Sequence, residues 1–580
     1  MTDVRRQFRR AVRRLRNAAK PAVTVTAPPT GVVVERDVVV TMPDGVDLRV
    51  NVFRPDAGSD GDRARPGPTY PVVLSAHPYG KDNLPRRKPA WLGGGYTFAA
   101  QYHAFPQPDP ISFSAWTSWE APDPGWWVPR GYVVVNADLR GFGHSDGTAE
   151  LLSEQEAADY EQLIAWAASQ PWSNGRVGLL GVSYLALAQY RVAARRPPHL
   201  AAICPWEGFS DLYRDFARPG GVREDGFLPL WSRLTARAGR VEEDLRAQQA
   251  ARPLWDDWWQ SKTPDLTAID VPMLVCGSFS DHDLHSRGSF EAFRRAGSAD
   301  KRLFTHRGGK WSTFYSAEAL AAQHAFFEDT LVAAPAAVPA TPAVRLEVRS
   351  AGAVVADVRH ESAFPPAGTA WRTWYLTAPG ALVDIAAANE ATYRFDTATG
   401  RARFVRRIAE DVELVGPVAL RLYVETIDCP DIHVFAGIEL WRNGIRVGFE
   451  GSYGFADDLL THGMQKSSHR DLDPDLSATG VPVHSHRDAV LHEPGEIVPV
   501  DVALLPSATR VSAGDEIHLV VQGHWFFPVD PLRGQFPAKY EASPPGTAVL
   551  HCGGRYDAAL LVPELAVPTS TPTPTSASSR

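Results

Sequence analysis

The residues best placed to do chemistry sit at the end of a short apolar run. Val177-Gly178-Leu179-Leu180 reads as a buried strand, Gly181-Val182-Ser183-Tyr184 as a tight turn, and Leu185 to Arg195 as a helix with an apolar stripe. A serine on such a strand-to-helix turn presents its hydroxyl at a helix N-terminus, where a nucleophile can be exposed and its product charge stabilised. Gly181 allows the bend, and Ala186 is small enough for the helix to lie close on the strand. The strict G-x-S-x-G pattern at Gly143-His144-Ser145-Asp146-Gly147 lacks this context, because Ser145 lies several residues beyond its strand and the next helical pattern starts near Glu154. Ser183 is therefore the candidate nucleophile.

A serine hydroxyl needs an imidazole to take its proton and a carboxylate to orient that imidazole. Asp281 follows the apolar run ending at Cys276, and His306 follows the next one, Arg302 to Thr305. Both stand just past the carboxyl end of an expected strand, and Ser, Asp, His is the chain order used on α/β sheets. Asp283, His282 and His285 share the loop after Asp281 and are its rivals. The oxyanion needs two donors. The Tyr184 amide is one by construction, and the phenol of Tyr79 is the other, because Pro78 beside it has no N–H.

These residues must be held by a sheet. Val38 to Met42 and Asp47 to Phe53 flank Pro43-Asp44-Gly45 as a hairpin. Tyr70 to Ser75, Tyr132 to Ala137, Val177 to Leu180, Leu200 to Cys204 and Met273 to Cys276 are nearly continuous apolar runs, as strands buried on both faces require. Helical patterns alternate with them, which argues for a mostly parallel sheet with helices on both faces. Residues 85–130 and 206–267 interrupt the alternation and hold ten of the 17 tryptophans, consistent with an aromatic-lined pocket under a helical cap. Beyond the prolines at 335, 339 and 342 the pattern becomes all-β, as in a sandwich or jelly roll. The expected divisions are a basic extension 1–34, an α/β core 35–205 and 268–330 split by a helical cap 206–267, a linker 331–343, a jelly-roll β-sandwich 344–565 and a Ser/Thr/Pro tail 566–580.

Taken together, Pro78-Tyr79, Arg140-Gly141-x-Gly143-x-Ser145, Gly181-x-Ser183-Tyr184-x-Ala186, Asp281 and His306 resemble the cocaine esterase and X-Pro dipeptidyl-peptidase (CocE/NonD) hydrolase family. Pro171-Trp172-Ser173-Asn174-Gly175 and Gly553-Gly554 extend the likeness over most of the chain. The resemblance implies an α/β-hydrolase sheet with an inserted helical cap and a C-terminal jelly roll. It also implies Ser183, Asp281 and His306 as triad, with Tyr79 and Tyr184 as oxyanion hole. The family commonly has Gly where Ala186 stands and often Trp near Phe279. Its substrates are esters, amides or short peptides. Trp206, Glu207, Asp211, Phe279 and Trp311 are the substrate-binding candidates, and Glu207, Asp211 and Asp215 could hold an ammonium unless Arg214 and Arg218 engage them. The expected function is a serine hydrolase cleaving esters or amides through an acyl-enzyme. The alternatives are an X-Pro dipeptidyl aminopeptidase and a non-catalytic carbohydrate- or partner-binding protein.

Composition sets the outer limits. The 580 residues are 44% hydrophobic, 22% charged and 10% aromatic, which is ordinary globular usage. The net charge of -8 combines eight basic and one acidic group in the first 20 residues with an acidic body of about -15, a poor nucleic-acid binder. Val4, Phe8, Val12, Leu15 and Ala19 give that basic segment helical periodicity, and it is expected to be a frayed or self-docked extension, the alternative being attachment to an anionic membrane surface or an acidic partner. No apolar run reaches the length of about 18 residues that a membrane helix needs. Cys204, Cys276, Cys429 and Cys552 lack metal-ligand spacing and suit a reducing compartment, so a cytoplasmic location is expected. His484 and His486, with His469 nearby, would place two imidazoles on one strand face, but with no evident third ligand. No metal and no cofactor is expected, and a homo-oligomer is compatible with the sequence.

Overall fold

The computed structural model describes residues 2–56, 68–92, 94–282, 284–332, 342–352, 354–532 and 534–568. Most of the expected linker and tail, and Asp283, lie outside the described residues.

The hairpin forms as strands β1 (Val32–Thr41) and β2 (Asp47–Pro55). It leads into β3 (Tyr70–His77), β4 (Val133–Asp138), β5 (Ser173–Val182), β6 (Leu200–Trp206), β7 (Met273–Ser278), β8 (Lys301–His306) and β9 (Val344–Ala351). Their order in the sheet is β1-β2-β4-β3-β5-β6-β7-β8-β9. From β4 to β9 every pairing is parallel. The switch between β4 and β3 sends successive crossovers to opposite faces, so the carboxyl ends of β5 to β8 converge on one edge, where a ligand can sit. Each run was legible because a strand covered on both faces must be apolar throughout, and Val133, Val134, Val135, Leu179 and Leu180 are all fully buried.

The basic segment is helix α1 (Thr2–Ala19), and it lies on the protein's own acidic surface. Arg10 pairs with Asp457 at 2.8 Å and Arg13 with Glu450 at 3.2 Å, while Asn17 donates to the carbonyls of Tyr102 and His103.

Two antiparallel sheets form the β-rich part. One joins Ala370–Thr377, Ala559–Ala566, Val412–Ile427 and Val498–Val511, and the other joins Arg401–Arg407, Glu516–Gln522, His433–Arg442 and Thr461–Lys466. Their inner faces meet in a core of alternating residues such as Leu420, Leu422, Val424, Ile438, Leu440 and Leu519. The sandwich is stitched to the hydrolase sheet. Buried Arg307, just after β8, donates to the carbonyls of Glu450, Leu459 and Leu460. His484-Ser485-His486 is not a strand. It lies on this seam, where the carbonyls of His484 and Ser485 accept from Arg214.

The close approach of helix to sheet at the elbow explains the Ala at position 186. A Cβ on Gly208, which follows β6, would lie 2.6 Å from the Ala186 Cβ, so the methyl group of one position fills the space left by the other. Gly208→Ala is therefore expected to destabilise the fold by about 1–3 kcal/mol, the usual cost of overpacking. Ala186→Gly added to it should recover most of that loss in thermal melts. An unchanged melting temperature in Gly208→Ala would refute this packing.

Candidate active site

Helix α2 (Glu154–Ser169) and helix α3 (Tyr184–Ala194) flank β5, and Ser183 is the turn between β5 and α3. Its backbone has φ 61° and ψ -119°, a conformation side chains other than glycine rarely adopt. The strain is held from both directions. The Ser183 amide faces the carbonyls of Trp206 and Glu207 at 3.1 and 3.2 Å, while its own carbonyl accepts from Ala186 and Leu187. Ser145, by contrast, serves structure: its Oγ donates to the Asp138 carbonyl at 2.8 Å and accepts from the Arg49 amide at 2.9 Å.

The imidazole opposite Ser183 is not the expected one. Ser183 Oγ lies 3.1 Å from His285 Nε2, and His285 Nδ1 lies 2.6 Å from Asp281 Oδ2. Asp281 thus lies beside His285 rather than His306, and His285, four residues on, is the residue that precedes helix α7 (Ser286–Arg295), which follows the cap helices α4 (Phe227–Ala238), α5 (Leu245–Ala251) and α6 (Asp257–Ser261). The amides of His285 and Ser286 both donate to the Asp281 carbonyl, and this turn brings the two side chains together.

His306 is the last residue of β8 rather than a loop residue beyond it, and it is occupied elsewhere. Its Nε2 donates to Glu207 Oε1 at 3.0 Å, and its Nδ1 accepts from the Gly308 amide at 3.1 Å. The reason is distance. Three strand spacings separate β5 from β8, on the order of 14 Å, and Glu207 stands between them. The reach from β8 is made instead by Lys310, at the start of helix α8 (Lys310–Phe314), whose Nζ is 2.6 Å from Asp281 Oδ2. Lys310 Nζ also lies 2.9 Å from His285 Nδ1. The Asp281 carboxylate only accepts, so at 2.6 Å the proton on Nδ1 points at it, and the ammonium, which cannot accept that proton, donates to the same carboxylate.

The electrostatics follow from this packing. Burial alone would push Asp281 up, but Lys310 and His285 outweigh it and hold the carboxyl below its usual range. Burial and then Lys310 lower His285, against the opposing pull of Asp281, so the imidazole is neutral and Nε2 is free to take a proton. Lys310 is raised: burial opposes its charge, but Asp281, Glu207 and Glu120 more than compensate. Glu120, with a left-handed φ of 62°, accepts from the Trp311 indole at 3.0 Å, and burial pushes it up to about 7.

Tyr79 and Tyr184 both lie beside Ser183. The Tyr79 phenol is in hydrogen-bonding reach of the Ser183 and Trp231 side chains, and burial raises it, so it stays a neutral donor. The Tyr184 amide is the first of α3 and has no helical acceptor. Its phenol points away, donating to Glu156 at 2.6 Å.

A cavity of about 260 Å³ opens over Ser183 and His285. Phe105, Trp119, Phe209, Phe216 and Tyr453 wall it, and the cap helix α4 turns one face into it through Phe227, Leu230, Trp231 and Leu234. Among the substrate-binding candidates, Trp311 lines this cavity. The other four do not. Trp206 is buried under the sheet against Phe304 and Phe314, and Phe279 packs with Phe290 and Phe364. Glu207 is bonded to His306, and Asp211 caps the next turn through the Tyr213 and Arg214 amides while pairing with Arg214 at 2.8 Å. Asp215 is taken by Arg287 rather than Arg218. Lys310 and Glu120 are the site residues that the sequence reading did not name, and His285 it named only as a rival in the loop after Asp281. The four-residue spacing of Asp281 and His285 was the available signal for His285.

The sheet order, the cap and the strained elbow define an α/β-hydrolase. Residues 44–309 match the X-Pro dipeptidyl-peptidase (S15 family), and residues 336–561 match the X-Pro dipeptidyl-peptidase C-terminal non-catalytic domain. A solved CocE/NonD family hydrolase from Staphylococcus aureus is 35% identical, covering 92% of this chain and 94% of that one with a TM-score of 0.84. The chain belongs to the CocE/NonD family of serine hydrolases. It is also similar to cocaine esterase from a Rhodococcus strain, 28% identical over 412 residues, which are 60% of this chain and 63% of that enzyme's length. The fold alone is shared with an α-amino acid ester hydrolase at 16% identity, 92% and 97% coverage and a TM-score of 0.66.

The position of Lys310 makes a sign prediction. Replacing Lys310 with Met removes a cation beside His285, so the imidazole should protonate more easily and the acid limb of kcat/KM should move to higher pH. A limb that stays in place or moves down would show that Lys310 does not act on His285.

Proposed function

We propose that this protein hydrolyses carboxylic esters through an acyl-enzyme on Ser183. The observation that carries the proposal is the hydrogen-bonded line Ser183 Oγ, His285, Asp281 opening into an aromatic cavity. Ser183 attacks the carbonyl carbon as its proton passes to His285 Nε2. Asp281 steadies the imidazolium through Nδ1. The oxyanion is held by the Tyr184 amide and the Tyr79 phenol, each donor contributing on the order of 100- to 1000-fold in rate. His285 then returns the proton to the leaving alcohol, and water repeats the sequence to release the acid.

Esters of neutral acids are favoured over N-terminal peptides by what the nearby carboxylates are doing. An aminopeptidase must hold a free ammonium, but Glu207, Asp211 and Asp215 are bonded to His306, Arg214 and Arg287. The carboxylate that lines the cavity, Glu120, faces Lys310 and is bonded to Trp311. The second reading is an X-Pro dipeptidyl aminopeptidase, which the match of residues 44–309 favours.

A fluorophosphonate should label the protein at one equivalent, with the label lost in Ser183→Ala and kept in Ser145→Ala. On a substrate panel, p-nitrophenyl acyl esters should be turned over in preference to Xaa-Pro-anilides. A preference for the anilides that Glu120→Gln abolished would reverse the assignment in favour of the peptidase.

A further inference from the structure

Behind the loop that carries Asp281 lies a second group of chemically competent side chains. His282 comes from that loop, His462 from the strand Thr461–Lys466 of the β-sandwich and Asp458 from the segment leading into it. All three are buried, and one donor atom from each lies within 4.8 Å of the others. His282 Nδ1 is 3.3 Å from Asp458 Oδ2. Two ligands at about 2.0–2.1 Å from a tetrahedral zinc are separated by about 3.3–3.4 Å, so this pair already has the edge of such a site.

One of these donors is left over by the rest of the structure. His282 Nδ1 and Asp458 Oδ2 face each other, while His282 Nε2 makes no hydrogen bond. Buried polar atoms in that state cost roughly 1–3 kcal/mol each. The rings of His282 and His462 meet edge to face, with centroids 5.2 Å apart. Asp458 Oδ1 accepts from the Leu459 amide at 2.8 Å, which orients the carboxylate. A cavity of about 80 Å³ adjoins both imidazoles and leaves room for a water as fourth ligand.

Two other groups have metal-ligand chemistry among the described residues. In Glu207, Cys276 and His306 the carboxylate and imidazole satisfy each other, and in Asp37, Asp82 and His144 the carboxylates are met by Lys81. In the seam cluster the His282–Asp458 contact still leaves His282 Nε2 unmatched. Arg307 is 3.7 Å from Asp458 Oδ2, but its guanidinium is held by three backbone carbonyls. A cation at that distance weakens a metal site and sets its affinity below that of one without such a neighbour.

We propose that His282, Asp458 and His462 bind one divalent late first-row metal ion, of the class that two imidazoles and a carboxylate select. Such an ion would tie the loop carrying Asp281 to the β-sandwich. The test uses the full-length chain, stripped with a chelator, dialysed against Co²⁺ or Zn²⁺ and desalted. Elemental analysis should find about one ion per chain, the Co²⁺ form should show the intense visible absorption of a four-coordinate site, and Zn²⁺ should raise the melting temperature. His462→Gln and Asp458→Asn should each lose the ion while keeping the wild-type far-ultraviolet circular dichroism. Wild-type protein that retains less than half an equivalent would overturn the proposal. So would variants that retain the ion undiminished.

Discussion

Everything at the active site depends on the backbone at Ser183. A serine with φ 61° is strained, by on the order of 1–3 kcal/mol, and it persists because its neighbours leave no other arrangement. β5 is fixed between β3 and β6, the Ser183 amide faces two carbonyls at the end of β6, and α3 starts at the next residue. Glu120 and Glu207, themselves in left-handed conformations, close the frame by bonding through their backbones to Val182 and Cys276. The sheet, its crossovers and the Gly208–Ala186 contact can all be understood as support for one exposed hydroxyl.

Around that hydroxyl the chain has buried more charge than one catalytic line needs. Glu120, Lys310, Asp281 and His285 form one connected set, and Glu207 with His306 forms a second beside it. Buried charges are tolerable only when paired, and removing one partner leaves the other uncompensated. Lys310 gives this network its asymmetry. It stabilises the Asp281 carboxylate and lowers the basicity of His285, two effects of opposite consequence for catalysis that come from one cation.

Much of this was legible in the sequence because the physics involved is local. Continuous apolar runs mark strands covered on both faces, and the change to alternation after residue 342 marks the sandwich. The elbow at Ser183 could be told from the motif at Ser145 by asking what precedes and follows each. What could not be read was which side chain crosses from one strand end to another. His306 looked right by chain order, yet as the last residue of β8 it is three strands from Ser183 and bonded to Glu207. The loop after β8 enters helix α8 at once and sends Lys310 across instead. Trp206 and Phe279 failed as pocket residues for a related reason: at a strand end, the face a side chain takes is set by register, and both turn inward. Asp211 and Asp215 were capable of holding an ammonium by type, but neighbouring arginines had already claimed them.

The central claim is that the proton leaves Ser183 through His285. The direct measurement is the pre-steady-state acylation burst with p-nitrophenyl acetate in His285→Gln and His306→Gln. The account predicts that His285→Gln loses acylation by a factor on the order of 10³ or more, as removal of a triad imidazole does, whereas His306→Gln keeps a burst within about tenfold of wild type. A His285→Gln enzyme that acylates at the wild-type rate would contradict it.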